Sequence, residues 1–461
     1  MELGSLQFDI FIFLALILYW AKAQQKWRRS VLMAANFCFM LLCGAPTAIW
    51  CCAFVLLGYL ASKKIEQATD RRKTGLTWGC TLLFLFFLAG YLLPHFFHVN
   101  FLNAIGMSYY ALSIAGYLFD QSKEKVPVAS LSDMFLYGGS FTELMSGPVK
   151  SSDLLLQYGS LPDFDESLFH EGVLYILWGF FQKTTVANGL GLSVDHYFTN
   201  YSGASSARLL LASLFYSIQL YCDFAGYSYI AIGMGKLFGI KVPVNFERPY
   251  LATNIQDFWR RWHIGLSRWF REHVYFPLGG SRKGLFRTAF NTIVVFAVSG
   301  LWHGFGMNYL AWGLAHGLAL ALFTFLKPVL NKAGLLEKTE NIIVLRWMAR
   351  ILNFSFVNFA WILFRSGSLS VALQFIRMLK GPYEFPSYLV QTMQLPEKKI
   401  LPIFLCLLVV FIVDLLAEHK CSPKETILSS PVLRNIVFIL LIVLIAFFGN
   451  FELSGFLYYN F

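Results

Sequence analysis

Residues 257–273, DFWRRWHIGLSRWFREH, place four arginines, two histidines and three tryptophans in one short stretch, followed by VYFPLGG. Drawn as a helix, the stretch puts Trp259, Trp262, His263, Leu266, Phe270 and His273 on one face at three- and four-residue spacing. Arg260, Arg261, Arg268 and Arg271 fall mostly off that face. Pro277 removes a backbone donor and Gly279-Gly280 permits a tight turn, so the helix is expected to end there. Two readings fit. An amphipathic helix could lie at the membrane surface with tryptophan anchors and arginines at lipid phosphates. Alternatively, the helix dips into the protein and presents His263 and the arginines to an anionic ligand, guanidinium being matched to phosphate.

A second segment, FAVSGLWHGFGMNYLAWGLAHGL (296–318), carries His303. About sixteen residues, roughly 24 Å of helix, separate it from Arg287, which places it past the midplane of a bilayer. An ionisable group at such depth is a functional candidate, and imidazole exchanges protons near neutral pH. The bland alternative is a histidine bonded to a neighbouring helix. Gly300, Gly304 and Gly306 favour the functional reading if they let a substrate approach the ring. His316, inside an apolar run, reads as a structural hydrogen-bonder, and His95 and His98 as interfacial. Asp223, an acid inside the apolar stretch 208–234, needs a partner or water. Orienting an imidazole and pairing with an arginine are both open to it.

The elements that must hold these residues are apolar. The chain of 461 residues is 57% hydrophobic and only 14% charged, against about 25% charged in soluble domains. This predicts an all-α polytopic membrane protein built as one integral membrane domain over 1–461. Apolar segments at 7–21, 30–43, 48–62, 77–94, 101–119, 131–147, 170–192, 208–234, 286–302, 308–326, 343–364, 400–417 and 432–450 give about 11–13 transmembrane or re-entrant helices. Several are short for a 30 Å core, so either these helices carry polar flanks into the membrane or the bilayer is locally thin. The connection 377–399 reads as an external or interfacial loop. The first apolar run, from Phe8, lacks a basic leader and is expected to stay as an anchor.

Between Lys236 and Arg287, ten Lys or Arg face three acids, so this stretch carries +7 of the net +11. The positive-inside rule turns it toward the cytoplasm and puts the amino terminus outside, a simpler account than nucleic-acid binding. The eight cysteines show no CxxC or metal spacing and read as small buried hydrophobes. No fixed-period repeat appears, which weakens a transporter made of inverted repeats.

Four ordered motifs carry a resemblance: YCDFAGYS (221–228), VNFERPY (244–250), DFWRRWHIGLSRWFREHVYFPLGG (257–280) and SGLWHGFGMNYLAWGLAHG (299–317). Weaker similarity in AIGMSYYALSIAGYLFD, ELMSGPVK, GFFQKTTVANGL and AWILFRS extends it over 105–366. The chain resembles the bacterial branch of membrane-bound O-acyltransferases, which includes the membrane subunits of alginate and peptidoglycan O-acetylation and the teichoic acid D-alanyl transferase. The resemblance implies a ring of tilted helices around a thinned centre crossed by a transmembrane tunnel. It implies a catalytic core over 101–366, with peripheral amino-terminal helices (1–100) and carboxy-terminal helices (367–461).

By the same resemblance His303 matches the family's catalytic histidine and His263 its second histidine, on the cytoplasmic side of the tunnel. Asp223, Trp302 and Tyr221 are the supporting candidates, and Arg260, Arg261, Arg268 and Asn245 the donor-binding ones. The chain departs from the family pattern at Tyr229, where an acid is common, and at Gln182-Lys183, where a lysine pair is common. The implied activity is an acetyltransferase of the bacterial inner membrane. It would take acetyl from acetyl-coenzyme A or an acyl-phosphopantetheinyl carrier to an extracytoplasmic polysaccharide, exopolysaccharide or peptidoglycan. An extracytoplasmic transfer partner, membrane lipids and no nucleic acid, bound cofactor or metal are expected. The rival readings are a non-enzymatic flippase for an anionic lipid-linked sugar and a haem- or metal-handling protein using His263, His303 and His316.

Overall fold

The computed structural model describes residues 5–92, 104–143, 147–383 and 400–451, together with 393 and 395. The described chain is helical, with no strand among the described residues. Its main elements are α1 (Leu6–Trp20), α2 (Gln25–Leu42), α3 (Ala45–Glu66), α4 (Asp70–Leu92), α5 (Met107–Ser122), α6 (Leu131–Gly138), α7 (Glu166–Phe180), α8 (Asn188–Thr199) and α9 (Ser206–Leu237). The order continues with α10 (Ile255–Arg261), α11 (Ile264–Phe270), α12 (Gly284–His303), α13 (Met307–Lys332), α14 (Ile343–Arg365), α15 (Ile400–Glu418) and α16 (Pro431–Phe448).

Seven described helices, α3, α9 and α12 to α16, are long and apolar enough to cross a membrane. The other segments counted from the sequence form helices that are shorter, as α1 is with 15 residues, or that carry charge into the apolar run, as α2 does with Lys26, Arg28 and Arg29. On α16, Val432, Ile439 and Phe447 are 70%, 63% and 74% exposed, a surface that only a hydrocarbon environment accommodates. His95 and His98 and most of the 377–399 connection lie outside the described residues.

The chain divides into two compact units, one of residues up to Gly179 with Tyr227–Val244, the other of Phe180–Gly226 with Asn245 onward. In the first unit, one sequence expectation is corrected. The apolar segment expected over 131–147 is helical over Leu131–Gly138, and residues 139–143 after it are irregular yet buried. Polar side chains make this possible: Asn36 Oδ1 accepts the Phe141 N–H at 3.0 Å, and buried Lys150 pairs with buried Glu143 at 2.9 Å. The short polar residues Ser140 and Thr142 bond each other and leave the helical pattern.

In the second unit, α12 and α13 form a hairpin packed backbone to backbone. A methyl group on Gly313 would lie 2.2 Å from the Phe296 carbonyl oxygen, and one on Gly300 would lie 2.3 Å from that of Tyr309. Small residues permit this close approach, which supplies dispersion contact where hydrocarbon offers no hydrophobic drive. The glycines expected to open a path to His303 therefore join helices instead: Tyr309 fills the space beside Gly304, and Asn308 that beside Gly306. Gly313→Leu should lower the yield of monodisperse protein and its apparent melting temperature in detergent, read by fluorescence-detected size exclusion. An unchanged profile would contradict backbone-to-backbone packing.

Candidate active site

His263 does not lie within a helix. The stretch read from the sequence as one helix breaks between α10 and α11, and His263 at the break adopts φ +44°, ψ +54°, the left-handed region. The continuous-face reading is thus corrected: Asn254 caps α10, the helix runs only to Arg261, and π-helical turns over Arg271–Tyr275 follow α11. A left-handed non-glycine residue costs on the order of 1–3 kcal/mol and persists only where its surroundings over-determine it.

Asn245 does much of that. Its carbonyl accepts the Ile264 N–H at 3.0 Å, and its side-chain Oδ1 accepts the Gly265 N–H at 3.2 Å. The same Oδ1 lies 3.2 Å from His263 Nδ1. Because Oδ1 is already an acceptor for an amide, Nδ1 must carry the proton and donate. Nε2 is then the lone-pair nitrogen, and it has no hydrogen-bond partner among the described residues. The Phe224 ring packs edge-on at 4.7 Å and the residue is 1% exposed.

Trp302 links the two histidines: its ring centroid is 6.4 Å from His263 and 4.7 Å from His303. His303, at the last turn of α12, is walled by Trp312 at 5.2 Å and Phe364 at 5.1 Å and is 5% exposed. Asn308 fixes the wall, donating to the Ser366 carbonyl at 2.8 Å and so tying the start of α13 to the end of α14. His316 is a structural hydrogen-bonder, as expected, accepting from Trp259 Nε1 through Nδ1 at 3.3 Å.

Asp223 pairs with Lys183, both buried. That partner is a lysine where the sequence left an imidazole or an arginine open. Lys183 belongs to the π-helical segment Phe181–Ala187 that joins α7 to α8. Beside it, Gln182 is fully buried with neither amide atom bonded among the described residues. Tyr221 donates to Asp414 at 2.9 Å.

The arginines separate into two kinds. Arg260 is exposed and Arg268 half-buried, each without a partner among the described residues. Arg261 is taken up by the protein: it grips Glu418 through both Nη atoms, at 2.7 and 3.1 Å, and also bonds Asp257. Glu418 holds Arg248 at 3.1 Å as well. Sequence reasoning passed over Asp414 and Glu418. Their signal was present, two acids one helical turn apart at the end of an apolar span.

A match to the membrane-bound O-acyltransferase family covers residues 47–366, most of the chain and every histidine just described. This protein belongs to that family. It is 33% identical over 327 residues to the peptidoglycan O-acetyltransferase of Helicobacter pylori, covering 64% of this chain and 61% of the relative. It is 31% identical over 392 residues to a probable alginate O-acetylase of Pseudomonas putida, covering 79% of this chain and 78% of that protein. The teichoic acid D-alanyltransferase of Streptococcus thermophilus is 30% identical over 261 residues, covering 52% of this chain and 63% of the relative. The chain therefore spans less than two thirds of the Helicobacter protein. It is a multi-pass membrane O-acyltransferase of the same family as these bacterial enzymes.

Two outcomes follow. Asn245→Leu should reduce acyl transfer by roughly tenfold or more, because Nδ1 loses the acceptor that sets the tautomer, while Asn245→Asp, which keeps an acceptor, should retain most of it; equal loss in both would oppose this role. For the buried pair, Lys183→Met should destabilise by about 3–5 kcal/mol by stranding a carboxylate, and Lys183→Met with Asp223→Leu should recover stability, read from thermal unfolding in detergent.

Proposed function

We propose that this O-acyltransferase moves acetyl from a cytoplasmic thioester, acetyl-coenzyme A or an acyl-phosphopantetheinyl carrier, to a hydroxyl of an extracytoplasmic polysaccharide such as alginate or peptidoglycan. The observation that carries the reading is the pair of buried histidines spanned by Trp302, inside a chain similar to a peptidoglycan O-acetyltransferase and a probable alginate O-acetylase.

His303 serves as general base. It takes the acceptor hydroxyl's proton as that oxygen attacks the thioester carbonyl; the carbon–sulfur bond breaks, and the leaving thiolate takes that proton from the His303 imidazolium, which restores the base. His263, with its unprotonated Nε2 free among the described residues, receives the donor from the cytoplasmic side by accepting a hydrogen bond from one of the donor's N–H or O–H groups. Arg260 and Arg268 meet the donor's phosphates, whereas Arg261 positions the His263 turn by holding Glu418. The irregular buried backbone around residue 263 is of the kind tolerated beside a cavity, which fits a tunnel through the core. An extracytoplasmic partner protein completes delivery to the polymer.

Membranes of the bacterial inner membrane containing the protein and its native neighbours, given labelled acetyl-coenzyme A, test this. His303→Ala should lower label in the extracytoplasmic glycan by about 10²- to 10⁴-fold, His263→Ala should also lower it, and Arg260→Gln with Arg268→Gln should raise the donor KM more than it lowers kcat. Undiminished transfer by His303→Ala would remove the general base. Movement of an anionic lipid-linked sugar that survives both histidine changes and consumes no donor would favour the flippase.

A further inference from the structure

Away from the histidines, the second unit contains an open groove of about 460 Å³ between α9, α14 and α15. Its walls are almost entirely hydrocarbon, with Ile218, Trp347, Phe354, Phe404, Leu407 and Phe411 prominent. Along α15, Phe404 to Asp414 covers about 15 Å of wall.

Into one end of this groove comes Arg350, only 4% exposed and seven residues into a helix apolar enough to cross a membrane. Its Nε donates to the Leu251 carbonyl at 3.0 Å, and one Nη reaches Glu418 only at 3.5 Å. The other Nη has no acceptor among the described residues. Arg248 lies against the same Glu418, bonding through Nε at 3.1 Å, and both its Nη atoms lack acceptors among the described residues. The charges around this end are Arg248, Arg261, Arg346 and Arg350 against Asp257, Glu418 and Asp414. Arg261 occupies Asp257 and both oxygens of Glu418, and Tyr221 donates to Asp414. The Arg350 guanidinium is left lining the apolar groove, with Arg248 beside it on Glu418.

A buried arginine in a membrane span calls for an anion or water. A groove of hydrocarbon walls with the Arg350 guanidinium at one end, and Arg248 next to it across Glu418, matches an amphiphile with an acidic head. We infer that this groove is a binding site for an anionic phospholipid, with one acyl chain along Phe404 to Phe411 and the phosphate on Arg350 and Arg248. Arg350 lies toward the cytoplasmic end of α14 by the positive-inside rule, the level of an inner-leaflet headgroup. The inference is independent of acyl transfer, since it concerns lipid retention by the protein at rest.

The experiment uses the full chain in nanodiscs of phosphatidylcholine containing a minor fraction of phosphatidylglycerol with a photoactivatable acyl chain. Crosslinks are mapped by mass spectrometry, and size exclusion confirms that each variant is folded. Wild type should label groove peptides from α14 and α15. Arg350→Gln with Arg248→Gln should reduce that labelling by roughly tenfold or more, the loss expected for charge-assisted bonds. Leu407→Trp, which fills the groove and leaves both arginines in place, should reduce it comparably, while Arg350→Lys should keep part of it. Undiminished labelling in the double variant would overturn the site. So would equal labelling by a phosphatidylcholine probe, which would mean that no headgroup is recognised. Displacement by millimolar inorganic phosphate would assign the arginines to a soluble anion and overturn the lipid assignment.

Discussion

The left-handed turn at His263 is the constraint on which the rest of the site depends. A side chain in an ordinary helix would share its direction with neighbours three and four residues away; here the backbone turns out of α10 at the histidine and re-enters a helix at Ile264. Both sides of the turn are tied. Asn245 takes the amides of Ile264 and Gly265, the Glu247 N–H bonds the Arg261 carbonyl at 2.9 Å, and Glu418 grips Arg261 and Arg248 together. Arg248 is itself left-handed, with φ +51°. Two unfavourable backbone conformations of on the order of 1–3 kcal/mol each are thus held by one carboxylate and one asparagine, a cost accepted where geometry matters to function.

His303 is positioned by a different device. It ends a long helix whose partner approaches so closely that a side chain at Gly300 or Gly313 would meet backbone. Trp302, Trp312 and Phe364 then wall the ring. One histidine is set by hydrogen bonds at a helix break and the other by packing at a helix end, and Trp302 is their common neighbour. That arrangement puts two imidazoles within one buried region, one hydrogen-bonded at the helix break and one aromatic-walled at the end of a span.

Much of the fold was legible because apolar run length and turn residues set helix limits. The expected spans 7–21, 286–302 and 432–450 appear as Leu6–Trp20, Gly284–His303 and Pro431–Phe448. Failure came where side-chain bonding overrides periodicity. Nothing in Trp-His-Ile announces a left-handed residue, since the asparagine that holds it is eighteen positions earlier. The segment 131–147 reads as apolar, yet Ser140, Thr142 and Glu143 turn the chain out of the helix. The histidines and Asp223 stood out as ionisable groups in apolar surroundings. The partners Asn245 of His263 and Lys183 of Asp223 are tertiary facts that a one-dimensional pattern does not carry. Arg261, grouped with Arg260 and Arg268 by spacing, proves distinct from them only because Glu418 reaches it.

The central claim is that Asn245 fixes the His263 tautomer so that Nε2 is the free base. Solid-state nitrogen NMR of protein labelled at histidine, with His263 assigned by its loss in His263→Ala, measures this directly. The account predicts a protonated Nδ1 and an unprotonated Nε2 for His263 at neutral pH, with that preference lost in Asn245→Leu. A proton on Nε2 in the wild-type protein, or a tautomer indifferent to Asn245, would contradict it.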